Sequence, residues 1–261
     1  RMKEHGYDYP YREARPYLEA ADIAAGNLET PISTRGAPME NKKYVYRGSP
    51  DALPALVDAG FDYFALANNH TLDFGWDALS DTMGLLDDAG LQHSGAGIDD
   101  KEAFTPAYIE RDGMTIAFVS LSHVVPVVEW KADRNTPGVA ETYSTERALA
   151  AIELASSNAD LVVVMVHWGK ELADRPLDIN RDYARAYIDA GADLVVGSHP
   201  HVLQGFESYN GKWIAYSLGN FVFPGMPDER TAQSGILQAD CGKDGDCGIR
   251  FLPMIATASH T

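Results

Sequence analysis

Two histidines flanking a proline, His199-Pro200-His201, follow the apolar run Ala192-Asp193-Leu194-Val195-Val196-Gly197. On an extended backbone, residues two apart share a side. Proline stiffens such a segment by fixing its own φ and biasing the residue before it toward extended conformations. Two rigid imidazoles facing one point are a donor pair for a divalent metal. The alternative is two histidines in a polar loop.

Other apolar runs end in the same chemistry. Asp22–Ala25 leads into Gly26-Asn27-Leu28-Glu29, and Tyr63–Ala67 into Asn68-Asn69-His70. Leu161–Val166 leads into His167-Trp168-Gly169, and Ile214–Ser217 into Leu218-Gly219-Asn220. Ligands of α/β sheets bind beyond the carboxyl ends of the strands. If these runs are parallel neighbours, Glu29, Asn69, His70, His167, His199 and His201 converge on one cleft at one sheet edge. Imidazole, carboxylate and amide oxygen together suit Mn, Fe or Zn. Taken singly, His167 reads equally as a hydrogen-bonded core histidine, Asn69 as a turn cap and Glu29 as a cap of the Thr30-Pro31 turn. Asp73 is spaced either to orient His70 through its second ring nitrogen or to cap the helix that follows. Glu171 either supports His167 or faces solvent. His93 is expected to be structural or exposed, His123 to be structural near the rim, and Trp168 and Phe221 to belong to the core.

The elements that must position these groups follow from periodicity. Ala21–Ala25, Asp62–Ala67, Thr115–Leu121, Leu161–Val166, Leu194–Gly197 and Trp213–Ser217 read as strands, and their near-continuous apolarity predicts burial on both faces. Helices are predicted over Asp51–Ala59, after the Ser49-Pro50 start signal, and over Ala78–Ala89, Thr145–Ser156 and Ile179–Ala190; three of the four stop at a glycine (Gly60, Gly90, Gly191). The alternation is that of an α/β fold. Ser33–Gly48 and Val124–Val139 are surface excursions. With no internal repeat and no flexible linker, residues 1–261 are expected to form a single domain.

Composition removes some functions. The 261 residues carry 38 Asp and Glu against 21 Lys and Arg, a net charge of −17, which repels nucleic-acid phosphates. No apolar run approaches the roughly 20 residues that a membrane helix needs. Arg1-Met2-Lys3-Glu4 opens the chain in polar sequence, so a leader or anchor is expected to have preceded it. Cys241 and Cys247 are the two cysteines. They bracket the turn composition Gly242-Lys243-Asp244-Gly245-Asp246, with strand-like flanks at 235–239 and 249–252, and so predict a hairpin. A disulfide across its base would favour an extracytoplasmic compartment; two free thiols are the alternative.

With these motifs in hand, the chain resembles the CapA, or PgsA-like, poly-γ-glutamate capsule synthesis family. The resemblance rests on Ala21–Pro31, on Ala67-Asn68-Asn69-His70-Thr71-Leu72-Asp73-Phe74-Gly75, on His167–Glu171, on Gly191–Val202 and on Tyr216-Ser217-Leu218-Gly219-Asn220-Phe221-Val222-Phe223, in the family's order. That family is similar to calcineurin-like metallophosphoesterases. The resemblance implies a four-layer α/β/β/α sandwich, two packed mixed sheets flanked by helices, with a two-metal cleft. It implies that Asn69, His167, His199 and His201 are metal ligands, that His70 is the catalytic histidine with Asp73 beside it, and that Glu29 stands in for the bridging carboxylate better than Asn27 does. It further implies a metallophosphatase-like hydrolase at the cell surface, membrane- or lipid-anchored in the full protein. Its partners would be a phosphate ester or an anionic capsule polymer and a membrane-bound capsule synthesis complex. A non-catalytic polymer-assembly component with a metal site is the alternative function. Family members open with a strand ending in Gly-Asp, which Arg1–Ala20 does not supply. The expectation is therefore a sheet lacking its opening strand and a ligand set lacking one carboxylate. Phe251–Ala256 is expected to be a strand with little after it, the chain closing at His260-Thr261.

Overall fold

The computed structural model describes residues 2–223 and 225–256; His260 and Thr261 lie outside them. Two sheets carry the site. The smaller is parallel, ordered β1 (Ala25–Asn27), β2 (Tyr63–Ala65), β3 (Gln92–Ser94). The larger uses β4 (Ala107–Arg111), β5 (Met114–Ser122), β6 (Leu161–His167), β7 (Leu194–Ser198), β8 (Phe206–Tyr209) and β9 (Lys212–Ala215), in the order β8-β9-β7-β6-β5-β4. Its centre, from β5 through β6 and β7 to β9, is parallel, and both outer pairs are antiparallel.

Side-chain alternation stacks these sheets into layers. On β6, Val162, Val164 and Val166 pack toward α3 (Thr145–Ser156) and α4 (Asp178–Asp189), against Ala151, Ile152, Ala184 and Ile188. Leu161, Val163 and Met165 point the other way, into a core shared with Tyr63 and Ala65 of β2. On β2 itself, Phe64 faces the opposite side, toward α1 (Leu53–Asp58) and α2 (Gly75–Asp88), whose Leu56, Leu79, Met83 and Leu86 cover it. The result is helix, small sheet, large sheet, helix. Each wholly buried Val, Leu or Phe in these cores contributes about 1.5–3 kcal/mol relative to exposure.

Several boundaries differ from the periodicity, such as Asp62–Ala67, of which only Tyr63–Ala65 is strand. The run Ala21–Ala25 yields a strand only from Ala25. Ala24 is held by Asp62 instead: Asp62 Oδ2 accepts from Ala24 N at 2.8 Å, and the amides of Asp62 and Tyr63 donate to Ala24 O. The final parallel strand stops at Ala215, because Ser217 turns its hydroxyl onto Val202 O, 2.7 Å away.

Gln233–Cys241 (β10) and Cys247–Ile255 (β11) form the expected hairpin, with Cys241 opposite Cys247 and a disulfide between them. Between this hairpin, β1 and the inner face of the large sheet lies a cavity of about 2240 Å³ that reaches the histidine cluster; β1 offers it an unpaired edge. No helix among the described residues is long and apolar enough to cross a membrane.

Candidate metal centre

The polar strand ends do meet, but across two sheets rather than along one edge. Glu29, Asn69 and His70 follow β1 and β2 of the small sheet, whereas His167 ends β6 and His199 and His201 follow β7 of the large one. The packing that creates the inter-sheet core therefore also brings the two donor sets together.

Asn68 ties the small-sheet half. Its Nδ2 donates to Leu28 O at 2.9 Å and to Asn27 Oδ1 at 3.2 Å, and its Oδ1 accepts from His70 N at 3.0 Å. Asn27 in turn donates to Glu29 Oε2 at 3.1 Å, an auxiliary role fitting its amide. Asn69 Oδ1 lies 2.8 Å from His167 Nε2, linking the halves directly.

On the large-sheet side, Gly197 lets the chain pass under Trp168. A Cβ there would collide with Tyr216 O and the Trp168 indole nitrogen, which themselves form a 3.0 Å hydrogen bond. Trp168 is thus a core residue, as expected. The His-Pro-His segment is not extended. His199 has φ +98° and His201 φ +59°, a turn in the left-handed region that non-glycine residues rarely adopt. The rings still approach, with centroids 6.0 Å apart and His167 and His199 at 4.8 Å. A tight turn, not strand alternation, brings them together.

Three of the four histidines are oriented through Nδ1. Ser198 Oγ holds His167 at 2.9 Å, Asn220 Oδ1 holds His201 at 2.7 Å, and Asp73 Oδ2 holds His70 at 2.6 Å. Asp73 therefore serves His70; the helix N-cap position falls to Phe74. The Nε2 atoms of His167 and His201 lie 3.6 Å and 4.0 Å from Glu29 Oε1. Glu29 Oε1 and His199 Nδ1 are sealed from solvent and have no hydrogen-bond partner. Such orphans cost free energy unless something satisfies them. Glu29, His167 and His199 form one group spaced to hold a cation, and Glu171, His199 and His201 form a second. His199 belongs to both. A buried carboxylate among imidazoles, with unsatisfied lone pairs, fits one or two divalent ions.

The electrostatics agree with that fit. Burial pushes the Glu29 carboxyl up to about 8, more than the nearby Lys42 ammonium can offset. Burial, helped by the neighbouring imidazoles, holds His167 well below its ordinary value and His199 down to about 3; His201 is lowered too, again by burial first. Neutral imidazoles are the form that binds metal.

Lys42 and Tyr46 are the site residues that spacing did not reveal. Lys42 Nζ donates to Asp73 Oδ1 and Asn69 O and lies 3.1 Å from His70 Nδ1; burial lowers its pKa. Tyr46 N donates to Asp73 Oδ2 at 2.7 Å. Both sit in the Ser33–Gly48 excursion, which folds back over the centre. The available signal was Lys42-Lys43-Tyr44-Val45-Tyr46-Arg47, a cationic and aromatic cluster in a strongly acidic chain.

The remaining candidates lie apart. His93 of β3 pairs with Asp87 of α2, 3.1 Å away. His123 follows β5, its amide on His167 O and its ring on Thr142 Oγ1, between Tyr143 and Tyr183. Phe221 packs at the edge of the small-sheet core.

A family model described as bacterial capsule synthesis protein PGA_cap matches residues 1–225. The PGA biosynthesis protein CapA of Bacillus subtilis (strain 168) is 36% identical over 254 residues, covering 97% of this chain and 66% of its own length. The capsule biosynthesis protein CapA of Bacillus anthracis is 32% identical over 258 residues, covering 97% and 62%. The chain thus spans somewhat under two thirds of these relatives. The crystal structure of TT1561 of Thermus thermophilus superposes with a TM-score of 0.49 at 9% identity, over 94% of this chain and 92% of that one.

Proposed function

The chain belongs to the bacterial capsule synthesis family PGA_cap, and on that footing we propose that residues 1–261 form a metal-binding, phosphoesterase-like domain acting in poly-γ-glutamate capsule biosynthesis at the cell surface. The observation that carries the metal-dependent reading is the sealed, unpartnered Glu29 Oε1 facing His167 Nε2 and His201 Nε2. Glu29, Asn69, His167, His199 and His201 would hold the ions, with Glu171 able to join on the outer side. Manganese, iron or zinc there would supply positive charge for phosphoryl oxygens and make a nucleophilic water available at neutral pH.

The chain's own groups complete the chemistry. Asp73 fixes the His70 ring at Nδ1, leaving Nε2 placed to pass a proton to the leaving oxygen. Lys42 holds Asp73 in place and is tethered over the Trp130 ring at 5.0 Å. The test is hydrolysis of bis(4-nitrophenyl) phosphate by the manganese-loaded chain. Turnover lost in His70→Ala and in His199→Ala is the expected result. No turnover with any of the three metals on any phosphate ester would overturn the enzymatic reading.

A second reading, in which the domain binds or assembles polymer without catalysis, starts from relatives named for PGA and capsule biosynthesis. Poly-γ-glutamate contains no phosphate ester, and a chain of net charge −17 repels a polyanion unless cations bridge them. Binding of the polymer that appears only with manganese, without phosphoesterase turnover, would select this reading.

A further inference from the structure

The rings around the centre form a continuous series that extends beyond the donor set. His70 lies 4.4 Å from Tyr46, Tyr46 lies 5.8 Å from Phe223, and Phe223 lies 4.8 Å from His201. Tyr46 comes from the excursion over the small sheet, and Phe223 from the segment after β9 of the large one. Both are partly exposed and line the same cavity as Glu29, His199 and His201. Neither is left to find its own position. Asp73 holds the Tyr46 backbone at 2.7 Å with the same oxygen that orients His70. Phe223 rests on His201, which is fixed by Asn220.

This arrangement has a direction. In the reading above, His70 meets the leaving oxygen, so the group attached to that oxygen must lie against whatever borders His70. That border is Tyr46, continued by Phe223. Two aromatic walls, roughly perpendicular at 78°, offer a face and an edge to a flat apolar surface. We propose that Tyr46 and Phe223 form a leaving-group subsite, and that the preferred substrates are phosphate esters whose alcohol portion presents a planar, aromatic face. The inference rests on the phosphoester reading but can fail separately from it.

Titration calorimetry of the manganese-loaded chain with phenylphosphonate and methylphosphonate separates the two. These ligands share the phosphoryl end, resist hydrolysis and differ only in the planar group. Phenylphosphonate is expected to bind about tenfold more tightly, the scale of one aromatic contact with its buried area. That preference should fall toward unity in Tyr46→Ala and Phe223→Ala. Phe223→Leu, which keeps apolar volume, should lose most of it too, because flatness and not bulk is at issue. Equal affinity of the native chain for both ligands overturns the subsite and leaves the metal centre intact. Binding of neither ligand to protein shown by elemental analysis to hold manganese overturns the phosphoester reading itself, and the subsite with it.

Discussion

Asn69 Oδ1 and His167 Nε2, 98 residues apart in the chain, lie 2.8 Å from each other and join the two sheets at their carboxyl ends. Both atoms are proposed ligands, so a cation would take over a link that the metal-free fold already makes. Asn69→Ala removes that link and leaves His167 Nε2 buried without its amide partner. The metal-free variant should lose about 1–3 kcal/mol in urea unfolding. Added manganese should recover less stability than it does for the native chain. Equal recovery in both would remove Asn69 from the ligand set.

Ser198 and Asn220 set the direction of two imidazoles without being ligands themselves. A ring that loses its Nδ1 partner can rotate and becomes a poorer donor at Nε2. Ser198→Ala and Asn220→Ala should each weaken manganese binding by about 10–100-fold while leaving the far-ultraviolet circular dichroism unchanged. Unaltered affinity in both variants would mean that His167 and His201 do not bind through Nε2.

The buried carboxyl and imidazoles make metal-free stability depend on pH in opposite senses. Glu29 holds its proton to about 8 in the fold but releases it near 4.5 when unfolded. Between those values the native state binds more protons, so stability falls as pH rises, and this contribution is gone above about 8. His199, held down to about 3 from 6.5, acts the other way: its contribution is present above 6.5 and is lost as pH falls toward 3. The metal-free melting temperature should therefore decline from about pH 6.5 to about 8, the window in which Glu29 alone of these two still titrates differently in the two states. Manganese, which satisfies the ionised carboxylate, should flatten that decline, and so should Glu29→Gln without metal. A decline in Glu29→Gln as steep as in the native chain would assign the effect to another group.

The layering was legible because a period of two on Leu161–His167 and Tyr63–Ala65 dictates which side chain enters which core. The donors were legible because each terminates such a run. Their division between two sheets was not, since parallel runs read alike whichever sheet they join. Lys42 and Tyr46 were hidden for a different reason. An excursion without periodicity carries no local signal of where it folds, and these residues reach the centre through contacts with Asp73, His70 and Asn69 that sequence spacing does not show. The His-Pro-His turn departs from the extended reading because proline's preference for an extended predecessor is overridden, leaving His199 at φ +98°.

That override is itself testable. At an ordinary position glycine is less stabilising than alanine by about 0.5–1 kcal/mol, through the entropy it releases on unfolding. At φ +98° an alanine carries the steric penalty of the left-handed region and glycine does not. His199→Gly should therefore unfold at higher urea than His199→Ala, by about 1 kcal/mol or more, although both lose the imidazole equally. Both should also lose metal, since His199 belongs to each candidate group. The usual order, alanine above glycine, would show that residue 199 is not held in this conformation. Glycine above alanine, with metal lost from both, would show that the backbone bears strain in order to place a donor where two ligand sets meet, the pattern expected where function rather than stability fixes the residue.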